Sequence, residues 1–266
     1  MKENQFEKIK KIDNNGAEYW SSRDLSKELE YPDYRKFLNV IEKAKIACEN
    51  SGEVIHNHFV HMDEMVQIGS GAERAIDTIY LSRYACYLIV QNGDPTKVVI
   101  AKGQTYFAIQ TRRQEKNDTL IEDNSRLHLR EEMKKHNTSL MHTASNAGVE
   151  SYAIFQNSGY QGLYGGLNMK DIHKKKGLKK SQKILDHMNS EELAANLFRA
   201  TQTEAKIKRE GIRGQGNASL AHYEVGQKVR NTINALGGTM PENLPTADSI
   251  TQSKKRVKGV IKKKLK

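Results

Sequence analysis

Three histidines of the first half, His56, His58 and His61, are the residues whose chemistry best suits a bound metal ion, and Glu53 and Asp63 lie near them. If the segment VIHNHFVHM is an extended strand, His56 and His58 lie on the same face, because side chains alternate along a strand. Imidazole groups spaced in this way can bind Zn²⁺ or a similar divalent ion. No second group of ligands accompanies them in the sequence. We therefore predict a histidine-rich surface strand, with no bound metal and no other cofactor.

The patterns that would indicate an enzyme are incomplete. A metal-dependent nuclease would need paired acidic residues with a nearby lysine, and Glu204-Ala205-Lys206 supplies only the last part of that pattern. Cys86 lies in the apolar segment RYACYLIVQN without a neighbouring histidine, which is typical of a core residue. We predict that the protein is not an enzyme and keep a metal-dependent nuclease as an alternative.

A glycine-rich segment, GYQGLYGG at residues 159–166, could bring backbone N–H groups close to a phosphate. Its spacing does not match a Walker motif, and the Lys-Ser/Thr pair that would hold phosphate and Mg²⁺ is missing. We interpret the segment as a tight turn packed beneath Tyr160 and Tyr164.

Charge is distributed unevenly along the 266 residues. The chain has 43 Lys and Arg and 32 Asp and Glu, which gives a formal net charge of +11. Residues 1–116 hold 17 basic and 17 acidic residues, so the whole excess lies in residues 117–266. Seven lysines fall within 170–183, and eight basic residues without any acidic residue fall within 251–266. Such clusters suit binding to a phosphate backbone, and for the final segment a membrane-surface or solubilising role is an alternative.

Basic residues in other places extend the nucleic-acid signal. Arg35 and Lys36 begin a predicted helix, where side chains can reach a groove. Arg112 and Arg113 follow the aromatic pair of TYFAIQ at spacings that allow cation–π contacts. The candidate nucleic-acid-binding residues are Arg35, Lys36, Arg112, Arg113, Lys174, Lys175, Lys176, Lys179, Lys180, Lys254, Lys255 and Arg256.

Membrane insertion and secretion are not expected. The most apolar stretch, Tyr84 to Val90, is too short to span a bilayer, and the first residues, MKENQFEKIKKID, lack the apolar core of a signal peptide. The two cysteines, Cys48 and Cys86, lie in apolar contexts without a C-x-x-C spacing, which suits a reducing compartment. We expect a soluble cytoplasmic protein with no membrane partner.

Hydrophobic spacing and turn residues place these groups on an α+β protein. The start is typical of a β-hairpin in which Phe6, Ile9 and Ile12 flank the turn DNNGA, and two short helices follow, the first capped by Ser21 or Ser22. The segments VIHNHFVHM and AIDTIYL are predicted to be extended. A capped helix, RYACYLIVQN, and a long helix after NGDP complete this part.

A domain boundary is predicted near residue 116, where the long helix changes from apolar-rich to charged. The first domain, residues 1–116, contains the hairpin, short strands and helices. Residues 117–250 form a mainly helical, basic second region. Residues 251–266, beyond the last proline, are predicted to be a disordered Lys-rich tail.

Several long strings resemble the bacterial DNA-damage-inducible protein D family. In the first half they are WSSRDLSKELEYPDYRKF, ACENSG and LSRYACYLIVQNGDPTKVVIAKGQTYFAIQTRRQE, and in the second half GYQGLYGGLN and MNSEELAANLFRATQTEAKI. The resemblance covers roughly residues 5–250 and leaves out the tail. The string HNHFVH departs from the family pattern, in which mainly the His-Phe pair recurs.

The resemblance implies a fold and a function that the residue patterns alone do not. The first domain is expected to be Bro-N-like, an α+β module of phage antirepressors and viral proteins that is associated with DNA binding. The family is linked to the SOS response and to recombinase filaments on single-stranded DNA, without an established enzymatic activity. We therefore expect a non-enzymatic DNA-binding regulator or accessory factor of the DNA-damage response. A protein-binding modulator of RecA-like recombinase filaments is the alternative, and the strandedness of the DNA and the oligomeric state stay open.

Overall fold

The computed structural model describes residues 5–13, 15–68 and 71–264, and excludes the side chains of Gln5, Ile68 and residues 261–264. The chain divides into two units, Met1–Arg113 and Gln114–Lys266. The helices and strands of the first unit are α1 (Gln5–Lys8), β1 (Lys11–Ile12), β2 (Glu18–Ser21), α2 (Ser22–Glu28), α3 (Tyr34–Asn50), β3 (Phe59–Ile68), β4 (Ala72–Leu81), α4 (Arg83–Gln91) and the first part of α5 (Val98–Asn146).

The second unit is helical over the residues described. Besides the rest of α5 it contains α6 (Tyr152–Leu163), α7 (Met169–Lys175), α8 (Ser190–Glu210), α9 (Gln215–Ala235) and α10 (Ile250–Lys264), with short 3₁₀ turns at Ile184–His187 and Pro241–Asn243. Across the described part of the chain, no helix is long and apolar enough to cross a membrane.

The sheet of the first unit is antiparallel, with strand order β1-β2-β4-β3. β3 and β4 pair from Phe59 opposite Leu81 to Ile68 opposite Ala72. Trp20 of β2 also lies opposite Leu81, and both side chains are fully buried. The predicted α+β class with a helical second region is therefore confirmed.

Helices α3 and α4 cover the core of this sheet, and their starts follow the expected capping chemistry. The Asp33 carboxylate accepts a hydrogen bond from the Arg35 backbone N–H at 2.9 Å, and the Ser82 hydroxyl accepts one from Ala85 N–H at 3.2 Å. Phe37 of α3 and Ile89 of α4 are fully buried. The apolar periodicity of both segments thus faces the core, as the spacing predicts.

Two local predictions in the first unit are corrected. Phe6 lies in the short helix α1 instead of a strand. Its side chain packs on the core, and its carbonyl accepts a hydrogen bond from the Trp20 indole at 2.8 Å, so these contacts hold it in the helical turn. The hairpin is confined to β1 and β2. The histidine segment is extended only from Phe59, since Ile55–Asn57 forms a 3₁₀ turn.

The prediction of a tight turn at the glycine-rich segment is also corrected. Gly159 and Gly162 lie inside α6, where they allow close packing against α9, and a Cβ at Gly162 would overlap the carbonyl oxygen of Tyr223. A Cβ at Gly226 of α9 would lie 2.7 Å from the carbonyl oxygen of Gly159. Only the last two glycines of the segment, which have positive φ, form the predicted turn. Glycines therefore allow close helix packing here. The glycine spacing in the sequence does not distinguish such a helix from a loop.

The tail prediction differs most from the structure. Residues 250–264 form α10, whereas Leu265 and Lys266 of the predicted disordered tail lie outside the described residues. Ser253 is fully buried and accepts a hydrogen bond from Arg126 at 2.9 Å. Arg256 donates to both carboxylate oxygens of Asp123, at 2.6 and 2.8 Å. These partners are about 130 positions away in sequence, so composition alone suggested disorder.

Candidate nucleic-acid interface

The lysine cluster at 170–183 is organised by α7 and the loop that follows it. Asn168 caps the helix by accepting hydrogen bonds from Lys170 and Asp171 N–H at 2.8 and 3.2 Å, and the Asp171 carboxylate accepts from Asn168 N–H at 3.0 Å. The reciprocal pair fixes the helix start. Gly177, with φ of +63°, then ends the helix and turns the chain.

Five lysines of this cluster are exposed and carry uncompensated charge. None of them forms an ion pair within the part of the chain that the structure describes. They are Lys170, Lys174, Lys179, Lys180 and Lys183. Lys175 is exposed as well, and its ammonium group lies 3.4 Å from the Asn243 side-chain oxygen. The cluster is therefore a positively charged surface.

Lys176 differs from its neighbours because it lies in the interior. Its side chain is 6% exposed and its ammonium group donates to Glu192 at 2.7 Å, with the carboxylate fully buried. Burial raises the pKa of Glu192, and the hydrogen bonds from Lys176 and Tyr164 oppose that shift. A phosphate contact by Lys176 would require breaking this pair, so the structure places this predicted site residue away from the surface.

The pair belongs to a chain of buried polar groups in the second unit. Tyr164 donates to Glu192 at 2.8 Å, and Asn196 donates to the Tyr164 oxygen at 2.8 Å. Asn196 also accepts from Arg199 at 3.2 Å, and Arg199 donates to Nε2 of His222. Since Nε2 accepts, the proton of His222 is on Nδ1, which donates to the Phe155 carbonyl at 2.9 Å. This network is structural, and Lys176 is the lysine that it contacts among the described residues.

Beside the exposed lysines lies a groove of about 700 Å³. Its lining residues are Arg130, Tyr160, Met169, Lys170, His173, Lys180, Gln182, Lys183, Ile184 and Leu185. His173 Nε2 lies 3.0 Å from the Lys179 carbonyl and 3.1 Å from the Gln182 carbonyl, and so ties the loop to α7. Arg130 is held by Asp186 at 2.8 Å. The groove thus combines apolar and basic lining residues, and hydrogen bonds hold its loop and Arg130 in place.

Several residues of the groove were not among the sequence candidates. Lys170 and Lys183 lie at the two ends of the lysine run at 170–183, whereas the sequence candidates come from its denser central part. Arg130 and Tyr160 gave no signal, because a charged residue on a long helix and a tyrosine in a glycine-rich segment have ordinary structural roles. Their partnership depends on contacts between distant segments.

The basic residues of α10 divide into two kinds. Lys254 and Lys255 are exposed and remain available to a phosphate. Arg256 is engaged by Asp123 and also donates to Asp248 at 2.8 Å. The hydrogen bonds from Arg256 lower the pKa of Asp123, which is otherwise raised by burial. Arg256 therefore anchors the helix and does not belong to the free basic surface.

The candidates of the first unit are exposed, and none of them is among the described residues that line this groove. Arg35 and Lys36 occupy the first turn of α3 and face solvent. Arg112 and Arg113 are exposed in the first third of α5, and Tyr106 is 53% exposed. These four basic residues stay predictions as nucleic-acid contacts.

The three histidines are not brought together. His58 Nδ1 lies 2.8 Å from the Ser82 hydroxyl, and the ring packs on Tyr84 at 4.8 Å between centroids. His61 lies 3.8 Å from Asp77 across the sheet, and His56 occupies the 3₁₀ turn. Among the described residues, no cluster of three or more His, Cys, Asp or Glu could hold a metal ion.

Comparison with known proteins finds matches along nearly the whole chain. Residues 8–108 match the BRO family, N-terminal domain, and residues 120–253 match the DinD C-terminal domain. The DNA damage-inducible protein D of Escherichia coli (strain K12) is 60% identical to the chain over 97% of the length of each. The chain belongs to the DNA damage-inducible protein D family.

Proposed function

We propose that the protein is a non-enzymatic DNA-binding accessory factor of the DNA-damage response in the bacterial cytoplasm. It would act by occupying DNA and not by cleaving it. The observation that carries the proposal is the surface of exposed lysines around α7, which form no ion pair with any described residue. Membership of the DNA damage-inducible protein D family supports the damage-response part.

Several other cations of the chain differ from the exposed lysines around α7, because they are paired with carboxylates. Arg83 donates to Glu7 and Glu18 at 2.8 and 2.7 Å, and Arg230 forms two hydrogen bonds of 2.7 Å with Glu242. These charges are neutralised within the protein. The exposed lysines around α7 have no carboxylate partner among the described residues, and each phosphate that they neutralise would release condensed counterions from DNA. Such binding is strong at low salt and indifferent to sequence.

A pair of charge-matched variants tests the lysine surface. Lys179→Gln with Lys180→Gln removes two charges from it, and Arg35→Gln with Lys36→Gln removes two from the first unit. Fluorescence anisotropy with two DNAs of unrelated sequence should show a loss of about tenfold or more for the lysine variant, equal for both DNAs. Unchanged binding by the lysine variant, with a loss in the control variant, would transfer the interface to the first unit.

The occupancy part has its own experiment. The protein is incubated with supercoiled plasmid and Mg²⁺ or Mn²⁺, at concentrations that saturate binding. We expect the plasmid to stay intact over hours. A cleavage activity that converts the plasmid to nicked or linear forms and co-purifies with the protein would establish a nuclease and refute the proposal.

A second candidate function is binding to a RecA-like recombinase, supported by an exposed aromatic cluster on the first unit. Tyr87 and Tyr106 are 37% and 53% exposed, Ile109 is 48% exposed, and the ring of Phe107 lies 5.0 Å from that of Tyr87. Tyrosine-rich apolar surfaces of this kind are common in protein interfaces. A pull-down of purified recombinase, after nuclease treatment to remove DNA, distinguishes this function from DNA binding. We expect the protein to retain the recombinase and the Tyr106→Ala variant to retain less of it.

A further inference from the structure

The groove beside α7 has a basic edge and an apolar interior, a combination that the exposed lysines alone do not explain. From this combination we propose that the groove binds single-stranded DNA, with bases against the apolar lining and phosphates at the lysines. The inference rests on the proposed function and adds the kind of strand and the manner of contact.

The basic edge supplies the phosphate contacts. Lys170, Lys180 and Lys183 line the groove, are exposed and form no ion pair with any residue that the structure describes. Arg130 adds a fourth cation, whose charge is shared with Asp186 at 2.8 Å. Because the lysines come from α7 and from the loop after it, a strand that crosses the groove meets cations from both.

The lining supplies apolar contact for bases. Met169 is 48% exposed and Leu185 is partly exposed, and Tyr160 and Ile184, each 5% exposed, also line the groove. A water-exposed apolar surface of this kind is stabilised when an apolar face covers it. The faces of unstacked bases are flat, weakly hydrated surfaces that can provide such cover.

The apolar lining distinguishes the two forms of DNA. In a duplex the bases are stacked inside and the outer surface presents phosphates and sugars, so the lining of a groove of about 700 Å³ would stay uncovered. In a single strand the bases can turn into the groove while the backbone follows the lysines. We therefore expect the groove to prefer the single strand.

The site is also held in place before any ligand binds. His173 ties the Lys179–Gln182 loop to α7 through two carbonyls at 3.0 and 3.1 Å. The Gln182 side chain accepts a further hydrogen bond from Lys179 N–H at 2.8 Å. Fixing the loop in advance lowers the entropic cost of binding.

An acidic peptide with an apolar side chain is the other chemistry that such a groove could accept. The distribution of charge favours DNA, because three further exposed lysines, Lys174, Lys175 and Lys179, lie close in sequence to the lysines that line the groove. A repeating polyanion can contact all of them, whereas a short peptide would use only those at the groove.

The first measurement compares the two forms of DNA with the full-length protein. Fluorescence anisotropy is recorded at one salt concentration for an oligo(dT) of about 15 nucleotides, within the usual site sizes for single strands, and for a hairpin duplex with as many phosphates. We expect the oligo(dT) to bind about tenfold more tightly.

Variants of one exposed residue test the lining itself. Met169→Gln keeps the length of the side chain and removes its apolar character, and Met169→Leu keeps the apolar character. We expect Met169→Gln to weaken oligo(dT) binding about fivefold and leave duplex binding unchanged, while Met169→Leu binds as the original protein does. Lys43→Gln with Lys102→Gln, which removes two exposed lysines of the first unit, serves as the charge control for Lys180→Gln with Lys183→Gln.

Photocrosslinking gives the location. An oligo(dT) that carries 5-iodouracil is irradiated with the protein, and the crosslinked peptides are identified by mass spectrometry. We expect peptides that contain Tyr160, Met169 or Leu185.

The outcomes separate this inference from the proposed function. Equal affinity for the two DNA forms, with both weakened by loss of lysines, would overturn the single-strand groove and leave DNA binding intact. Absence of binding to either form would overturn both. An acidic peptide that binds at Met169 while oligo(dT) does not would assign the groove to a protein partner.

Discussion

At the scale of single residues, Lys176 and Lys174 show that neighbouring lysines of one cluster have different roles. Lys176 is paired with a buried carboxylate, whereas Lys174 faces solvent. Lys176→Ala would leave Glu192 without its cation in the interior, and we expect the free energy of unfolding to fall by about 3–5 kcal/mol. Urea denaturation measures the change.

Lys174→Ala is the matched control for that prediction, since it removes the same side chain from the surface. Its effect on stability should stay within about 0.5 kcal/mol, while its DNA affinity falls slightly. If both variants unfold at the same urea concentration as the original protein, the Lys176–Glu192 pair does not contribute to stability in solution.

His222 is the residue whose titration should control stability near neutral pH. Burial, followed by the charge of Arg199, lowers the pKa of His222 well below its ordinary value. Below about pH 6.5 the unfolded chain takes up a proton at His222 and the folded protein does not. The free energy of unfolding should therefore fall with decreasing pH, with a slope approaching about 1.4 kcal/mol per pH unit, and His222 should have no influence above about pH 7.5.

His222→Gln removes this titration while keeping an acceptor for Arg199. The difference in unfolding free energy between the two proteins should be constant from pH 8 to 7 and should shrink from pH 6.5 to 5. Glu192, whose pKa is raised by burial, contributes with the opposite sign in both proteins, so the difference isolates His222. A difference that does not change with pH would show that His222 is not buried in its neutral form.

At the scale of the elements, the packing of α6 on α9 depends on glycines inside the helices. Gly162→Ala places a methyl group against the Tyr223 carbonyl, and we expect a loss of about 1–3 kcal/mol from overpacking. Gly216→Ala is the control, because a Cβ there meets nothing within 4 Å and the residue lies in the first turn of α9. The control should be neutral or slightly stabilising. Equal thermal stability of the two variants would contradict the close approach of the helices.

Elements with local signals could be predicted from the sequence. The helix after Ser82 and the helix after Asn189 follow from an N-cap residue and apolar spacing, both of which are visible within a few residues. The helix at 250–264 could not, because Arg126 and Asp123 hold it from a distant part of α5. The prediction of a turn at Gly159 and Gly162 fails for the same reason. The groups that require these glycines, the Arg199 and His222 side chains at Gly159 and the Tyr223 backbone at Gly162, are 40 to 63 positions away.

The candidate site was predicted in part. The sequence located the lysine run, since charge density needs no knowledge of the fold. It did not separate buried Lys176 from exposed Lys180, because that distinction depends on Glu192, which packs there from another helix. Nor did it reveal the apolar lining, which combines Tyr160 with residues 184–185.

At the scale of the whole molecule, the net charge of +11 lies on one unit. Residues 1–116 are neutral, and several of the cations there are paired with carboxylates, as in Lys10 with Glu18 and Arg83 with Glu7. The excess resides in the second unit, where α7 and α10 expose lysines. Long-range attraction to DNA should therefore be directed to the second unit, while the neutral first unit is left for contacts of another kind.

This distribution predicts how salt should affect DNA binding by the full chain. A plot of log affinity against log salt concentration should be linear, with a slope of about −0.7 for each phosphate contacted on a single strand. Lys179→Gln with Lys180→Gln should make the slope less steep by about 1.4, since two contacts are lost. Lys43→Gln with Lys102→Gln, which removes two exposed lysines of the first unit that are not binding candidates, should leave the slope unchanged, although it alters the net charge by the same amount. If both variants reduce the slope equally, DNA binding responds to the total charge of the molecule and not to a localised surface on the second unit.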